Sequence, residues 1–197
     1  NTGTIIGQVD ADGGQLTFNN SGSWYAGSGG NDFNNVDDAL NNSGTIYIRS
    51  GNTAFNGLES FLNTATGLVT MSYSNPAIGL ASPSYARSAL DTLTVVNLTT
   101  EAGAQFTFDF DAAAANNAAA GSDISEDGMG TADTIVVSGI ATPTAGTIVN
   151  INALNGDATG KWGSVALIAA NGGSVATPVP GGHVTDSSYY IFGTSDL

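Results

Sequence analysis

One short phrase, repeated at almost constant spacing, constrains what this chain can fold into more than any other feature. Phe18-Asn-Asn-Ser-Gly-Ser-Trp24-Tyr25 returns as Leu40-Asn-Asn-Ser-Gly-Thr-Ile46-Tyr47, and more loosely as Phe61-Leu-Asn63-Thr-Ala-Thr-Gly67-Leu-Val69. Asn1-Thr-Gly3-Thr-Ile5-Ile6 is a further copy, so that Gly3, Gly22, Gly44 and Gly67 stand 19, 22 and 23 residues apart. A unit this short cannot bury its own apolar face and must stack on its neighbours. After each glycine the residues alternate as half-buried strands do, as in Thr45-Ile46-Tyr47-Ile48 and Leu68-Val69-Thr70-Met71. The Asn-Ser-Gly before each strand is expected to supply the positive-φ positions of a sharp corner.

Corner and short strand, repeated each ~20 residues, is the pattern of a parallel β-helix, an all-β solenoid. Coils of that length predict about nine turns and a rod of about 45 Å at one strand spacing per coil. Asn20, Asn42 and Asn63 should stack as a structural amide ladder, with Gly22, Gly44 and Gly67 marking the same corner. Trp24, Tyr25 and Tyr47 recur at equivalent places and read as a stacked interior ladder. An exposed aromatic strip that binds sugars is the alternative.

The chain reads as one solenoid over 1–197, with Asn-Ser-Gly coils in 1–76, a loop at 77–88 and further coils in 89–197. The strand pattern resumes at Asp91-Thr-Leu-Thr-Val-Val and is echoed by Asp133-Thr-Ile-Val-Val. It continues through Phe106, Phe108 and Phe110, then through 146–154, 164–168 and 189–192. An alanine-rich stretch followed by Ser122-Asp-Ile-Ser-Glu-Asp-Gly128 makes 112–131 a protruding loop.

Seventeen acidic residues face only Arg49, Arg87 and Lys161, a net charge of −14. Such a surface repels phosphate backbones and anionic membranes, so neither nucleic acid nor membrane insertion is expected. No run of apolar residues is long enough to span a bilayer. There is no cysteine to form a disulfide or act as a thiolate. No secretion signal is visible at Asn1, which fits a processed form located outside the cell or on its surface.

Catalytic constellations are poor. His183, the lone histidine, sits in a glycine-rich turn, and no nucleophile elbow accompanies it. A polysaccharide-cleaving β-helix would have to draw its base from Arg49, Arg87 or Lys161. Asp10-Ala-Asp12-Gly-Gly starts like an EF-hand loop, but Gln15 stands where its glycine belongs and Ser21 where its bidentate Glu belongs. Gly27–Phe33 resembles one nonapeptide of the calcium-binding repeats, a motif that works in tandem, and reads as a turn between coils. Asp123, Glu126 and Asp127 form the candidate metal site, with Asp37 and Asp38 as a second carboxylate pair. Calcium is the ion they would accept, and solvated acidic surface is the alternative. Asn19, Asn41 and Asn97 begin Asn-x-Ser/Thr triplets that arise from the repeat itself.

The wording resembles the passenger regions of bacterial autotransporter proteins. The likeness is carried by Phe-Asn-Asn-Ser-Gly-Ser-Trp at 18–24, Asp-Phe at 32–33, Leu-Asn-Asn-Ser-Gly-Thr-Ile at 40–46 and Gly57-Leu-Glu-Ser-Phe61-Leu-Asn63. It continues through Asp91-Thr-Leu-Thr, Phe-Asp at 108–109 and Ala132-Asp-Thr-Ile-Val-Val-Ser-Gly139 to Gly146-Thr-Ile-Val. The resemblance implies a right-handed β-helix displayed outside the cell for adhesion or surface-layer building, and it brings over no catalytic residues. The membrane barrel of that family has no counterpart in the sequence.

A solenoid exposes strand edges and an apolar cross-section at its ends. Ile5 and Ile6 at one end, and Tyr189, Tyr190, Ile191 and Phe192 at the other, are the expected self-association residues. The expected function is therefore a non-enzymatic extracellular scaffold whose copies join head to tail into filaments or a matrix. The alternatives are an adhesin segment gripping a host protein or surface glycan through 112–131, and the polysaccharide-cleaving enzyme.

Overall fold

The computed structural model describes residues 1–11, 13–27, 29–33, 37–48, 51–71, 90–111, 132–154 and 168–170. In chain order the strands are β1 (Thr4–Gly7), β2 (Thr17–Asn20), β3 (Ser23–Ala26), β4 (Gly29–Asp32), β5 (Ala39–Asn42), β6 (Thr45–Ile48), β7 (Asn52–Asn56) and β8 (Ser60–Asn63). They continue as β9 (Leu68–Thr70), β10 (Thr92–Val95), β11 (Leu98–Thr100), β12 (Gln105–Asp111), β13 (Thr134–Val137), β14 (Ala141–Thr142), β15 (Ile148–Leu154) and β16 (Ile168–Ala170).

These strands form three sheets in which every pairing is parallel. Sheet A runs β1-β3-β6-β9-β12-β15, sheet B runs β4-β7-β10-β13-β16, and sheet C runs β2-β5-β8-β11-β14. From β2 onward the chain visits C, A and B in strict rotation, and each strand pairs with its counterpart one coil later. An all-β chain with this connectivity is compatible with a parallel β-helix. It follows from the repeat, because each four-residue strand can saturate its backbone only against a copy of itself.

The expectation of coils of about 20 residues is corrected for the later coils. Register-matched residues Thr4, Ser23, Thr45, Leu68, Gln105 and Ile148 of sheet A are 19, 22, 23, 37 and 43 residues apart. The later coils are longer because residues 71–91, 112–133 and 155–167 all connect a strand of sheet A to the next strand of sheet B. The described stack therefore spans about 24 Å from its first to its sixth strand in sheet A.

Alternation along each strand puts one set of side chains between the three sheets. Trp24, Ile46, Val69 and Phe106 come from sheet A, Leu93 and Ile135 from sheet B, and Leu40, Phe61 and Leu98 from sheet C; all are buried. The first coils are filled with rings. Trp24 stacks on Phe55 at 5.1 Å and meets Phe18 edge-on at 5.3 Å, and Phe33 packs edge-on against both Trp24 and Phe55.

Trp24, Tyr25 and Tyr47 do not make one interior ladder. Trp24 and Tyr25 are consecutive in β3, so the pleat sends them to opposite faces. Trp24 pairs in register with core Ile46, whereas Tyr25 pairs with Tyr47 on the other face, their rings parallel and 4.3 Å apart. Burial and the adjacent Tyr25 hydroxyl raise the Tyr47 hydroxyl pKa.

The sheet C strands β2, β5 and β8 each end on an inward amide. The Asn1 side chain donates to Asn20 Oδ1 at 2.8 Å, Asn20 Nδ2 to Asn42 Oδ1 at 2.8 Å, and Asn42 Nδ2 to Asn63 Oδ1 at 2.9 Å. Each amide also donates across the corner to a sheet A strand: Asn20 to the Thr45 carbonyl, Asn42 to Leu68 and Asn63 to Gln105. In the next coil Thr100 takes the register position of Asn63, and its hydroxyl lies 2.6 Å from that of Thr147. Asn19 and Asn41 form a second, exposed amide pair on the outer side of the same strands, at 2.9 Å.

The expected reason for the Asn-Ser-Gly glycines is corrected as well. The residues with positive φ are elsewhere, including Gly7, Gly29 and Gly51 on the side between sheets A and B. Gly22 and Gly44 are required by proximity. A Cβ on Gly44 would collide with the Gly22 carbonyl oxygen, and one on Gly22 with that of Gly3. The corners nest this closely because Ser43 and Gly44 both donate their N–H to the Asn20 carbonyl, as Ser21 and Gly22 do to that of Asn1.

Gly29–Asp32, expected to be a turn between coils, is strand β4. Asn31 faces inward there, fully buried; its Oδ1 accepts the Val9 N–H and its amide donates to the Ala54 carbonyl.

Candidate functional site: carboxylates at the corners

A parallel ladder breaks wherever the chain turns from one sheet to the next, which leaves backbone N–H groups without a strand partner. In this chain acidic side chains take many of them. Between sheets B and C, Asp38 Oδ1 accepts the Leu16 N–H at 2.5 Å, and Glu59 Oε2 accepts the Asp38 N–H at 2.6 Å. Asn97 closes that column, its amide donating to the Glu59 carbonyl and its Oδ1 accepting the Ile140 N–H. Between sheets C and A, Glu101 Oε2 accepts the Ala65 N–H at 2.9 Å.

The side between sheets A and B holds the densest group. Asp91, just before β10, accepts the Gly51 N–H on Oδ1 at 2.6 Å. Asp133, just before β13, accepts two: the Asp91 N–H on Oδ1 at 2.7 Å and the Asp109 N–H on Oδ2 at 2.6 Å. Asp133 returns its own N–H to the Asp109 carbonyl at 2.9 Å. One carboxylate thus ties together backbone from two sheets and two successive coils. All three acids are buried, with 4% of Asp91, 1% of Asp109 and none of Asp133 exposed.

Such burial disfavours the charged form. Burial pushes the Asp91 carboxyl up to about 7, with a further rise from the Asp109 charge, against the pull of the Gly51 N–H. The Asp133 carboxyl also rises to about 7; burial again outweighs the two accepted N–H groups, and the charges of Asp109 and Asp91 add to the rise. A carboxyl with such a pKa has the proton affinity of a general acid. Chemistry on a substrate also needs contact with it, and these side chains are sealed in the stack.

Among the described residues, no group of three or more His, Cys, Asp or Glu side chains could hold a metal ion. Asp123, Glu126 and Asp127 lie outside the described residues, as do Arg49, Arg87, Lys161, His183 and Tyr189–Phe192. Of the second carboxylate pair, Asp37 takes a positive φ of 55° and is exposed, while Asp38 is buried at its corner. Asp10 forms a parallel bridge with Asp32. Ile5 packs against the core, and Ile6 is 49% exposed on the outer face of β1.

Of the corner acids the sequence singles out only Asp38, as half of a carboxylate pair, although a signal for two others is present. Asp91 and Asp133 each open an Asp-Thr dipeptide immediately before an alternating apolar strand. Compared with known protein families, with curated proteins and with solved structures, the chain matches none.

Proposed function

We propose that this chain is a non-enzymatic extracellular structural protein, a right-handed β-helical scaffold subunit whose copies associate end to end into filaments or a surface matrix. The observation that supports it is the edge shared by the three sheets. Among the described residues, β1 and β2 each have a strand partner on one side only, β4 is met on its other side only by the short bridge at Val9–Ala11, and Ile5, Val9, Leu16 and Phe18 are only partly buried. An unpaired parallel edge beside apolar surface is a template for another strand. Repeated head-to-tail pairing without rotational closure gives a filament, not a ring. The corner acids add support, because Asp38, Glu59, Asp91, Glu101 and Asp133 are engaged in holding backbone.

Negative-stain images of the purified chain at rising concentration, with and without calcium, test the proposal. Filaments that shorten when Ile5→Lys places a charge at the edge are the expected result. Dispersed single particles at the highest concentration in both conditions would overturn it.

A further inference from the structure

The buried acids between sheets A and B have a role that does not depend on how copies assemble. Among the described residues, every ionisable group set against this corner is an acid. Asp91 enters β10, Asp133 enters β13, and Asp109 lies in β12, where Asp111 follows two residues on. β7 adds only the Gly51 N–H, and β15 places Asn152 opposite Asp109. The Asp133 carboxylate bonds the backbone of both Asp91 and Asp109, and acids held this close and closed off from water cannot all be ionised without mutual repulsion.

We propose that the Asp91–Asp109–Asp133 corner is a proton-operated latch, which holds the coils of β7, β10 and β13 together more firmly when Asp91 and Asp133 take up protons. Protonation replaces a buried charge by a neutral carboxyl whose hydroxyl can donate to a neighbouring carboxylate. The three accepted N–H bonds keep their oxygen partners. Loss of the proton restores repulsion between groups whose main chains are bonded together and cannot move apart.

The sign follows from linkage. An aspartate in the unfolded chain titrates near its ordinary value of 3.8, whereas Asp91 and Asp133 titrate in the folded chain at about 7. Between those values the folded state binds more protons, so its stability falls as pH rises through the window and levels off above it. The upper part of that window, above about pH 5.5, lies beyond the ordinary carboxylate range and isolates the corner from exposed acids.

The test is urea unfolding of the full chain between pH 5.5 and 8, beside Asp91→Asn. The substitution keeps an oxygen for the Gly51 N–H and removes one charge. The urea midpoint of the wild type should fall across this range, and that of Asp91→Asn should fall less and lie above the wild type at pH 8. A wild-type midpoint that is constant or rises, or a variant that follows the wild-type profile, would overturn the latch. Infrared spectroscopy keeps the test decisive if the variant does not fold. The wild type at pH 6 should show the carbonyl stretch of a protonated, water-excluded carboxyl that disappears by pH 8. Absence of that band at pH 6 would refute the proposal.

Discussion

The amide column offers the sharpest test of what holds the coils in register. Asn42 is fully buried; it accepts from Asn20 at 2.8 Å and donates to Asn63 at 2.9 Å and to the Leu68 carbonyl at 3.2 Å. Asn42→Ala removes all three bonds. Asn20 Nδ2 keeps only its 3.4 Å contact with the Thr45 carbonyl, and Asn63 Oδ1 loses its partner inside the stack. Three net bonds at about 1 kcal/mol each, with a further penalty of about 1–2 kcal/mol for stranded polar groups, give a loss of about 4–5 kcal/mol. At an m-value of about 2 kcal/mol per molar urea, the midpoint moves down by about 2 M. Asn41→Ala is the control. It removes a bond of the same kind, to Asn19 at 2.9 Å, but on the exposed side of the same strand, and should cost no more than about 0.5 kcal/mol. Urea unfolding followed by far-ultraviolet circular dichroism measures both. If Asn42→Ala loses less than about 1 kcal/mol, or no more than Asn41→Ala, the column does not hold the register and the reasoning fails.

Gly44→Ala drives a methyl group into the Gly22 carbonyl and should lower stability by about 1–3 kcal/mol, a loss read from the same unfolding curves. Gly51→Ala provides a comparison of cause: its Cβ meets nothing within 4 Å, so any loss there comes from its φ of 102°. Trp24→Ala empties the ring cluster and should cost about 3–5 kcal/mol in the same assay, well above Tyr47→Ala, whose ring stacks on Tyr25 outside the core.

The architecture was legible because the repeat writes each coil's polar and apolar positions in the same order. Phe18, Leu40 and Phe61, and with them Asn20, Asn42 and Asn63, fall into register at the separations counted along the chain. What the repeat could not convey was why its glycine is there, since a positive φ and a close neighbour ask for the same residue. Nor could it separate Trp24 from Tyr25: similarity of residue type suggested one ladder, and only the pleat assigns them to different faces. The corner acids were hidden for another reason. Asp91 and Asp133 are 42 positions apart, and Asp109 reaches them from a different sheet, so their meeting depends on one full coil of chain. In composition they count only toward negative charge, although folding uses them to fill backbone vacancies.

The uneven coil lengths have a consequence of their own. Connections from sheet C to sheet A are held by Asn42, Asn63 and Glu101, and those from B to C by Asp38, Glu59 and Asn97, and both stay short throughout the described chain. Every major lengthening falls on the remaining edge, from A to B. All three seams carry alignment, but only the one closed by Asp91 and Asp133 admits long additions of chain ahead of its carboxylates. Foreign peptides spliced into 72–89 would therefore leave the pairing of β9 with β12 undisturbed, whereas the same peptides placed between Asn42 and Thr45 would break it.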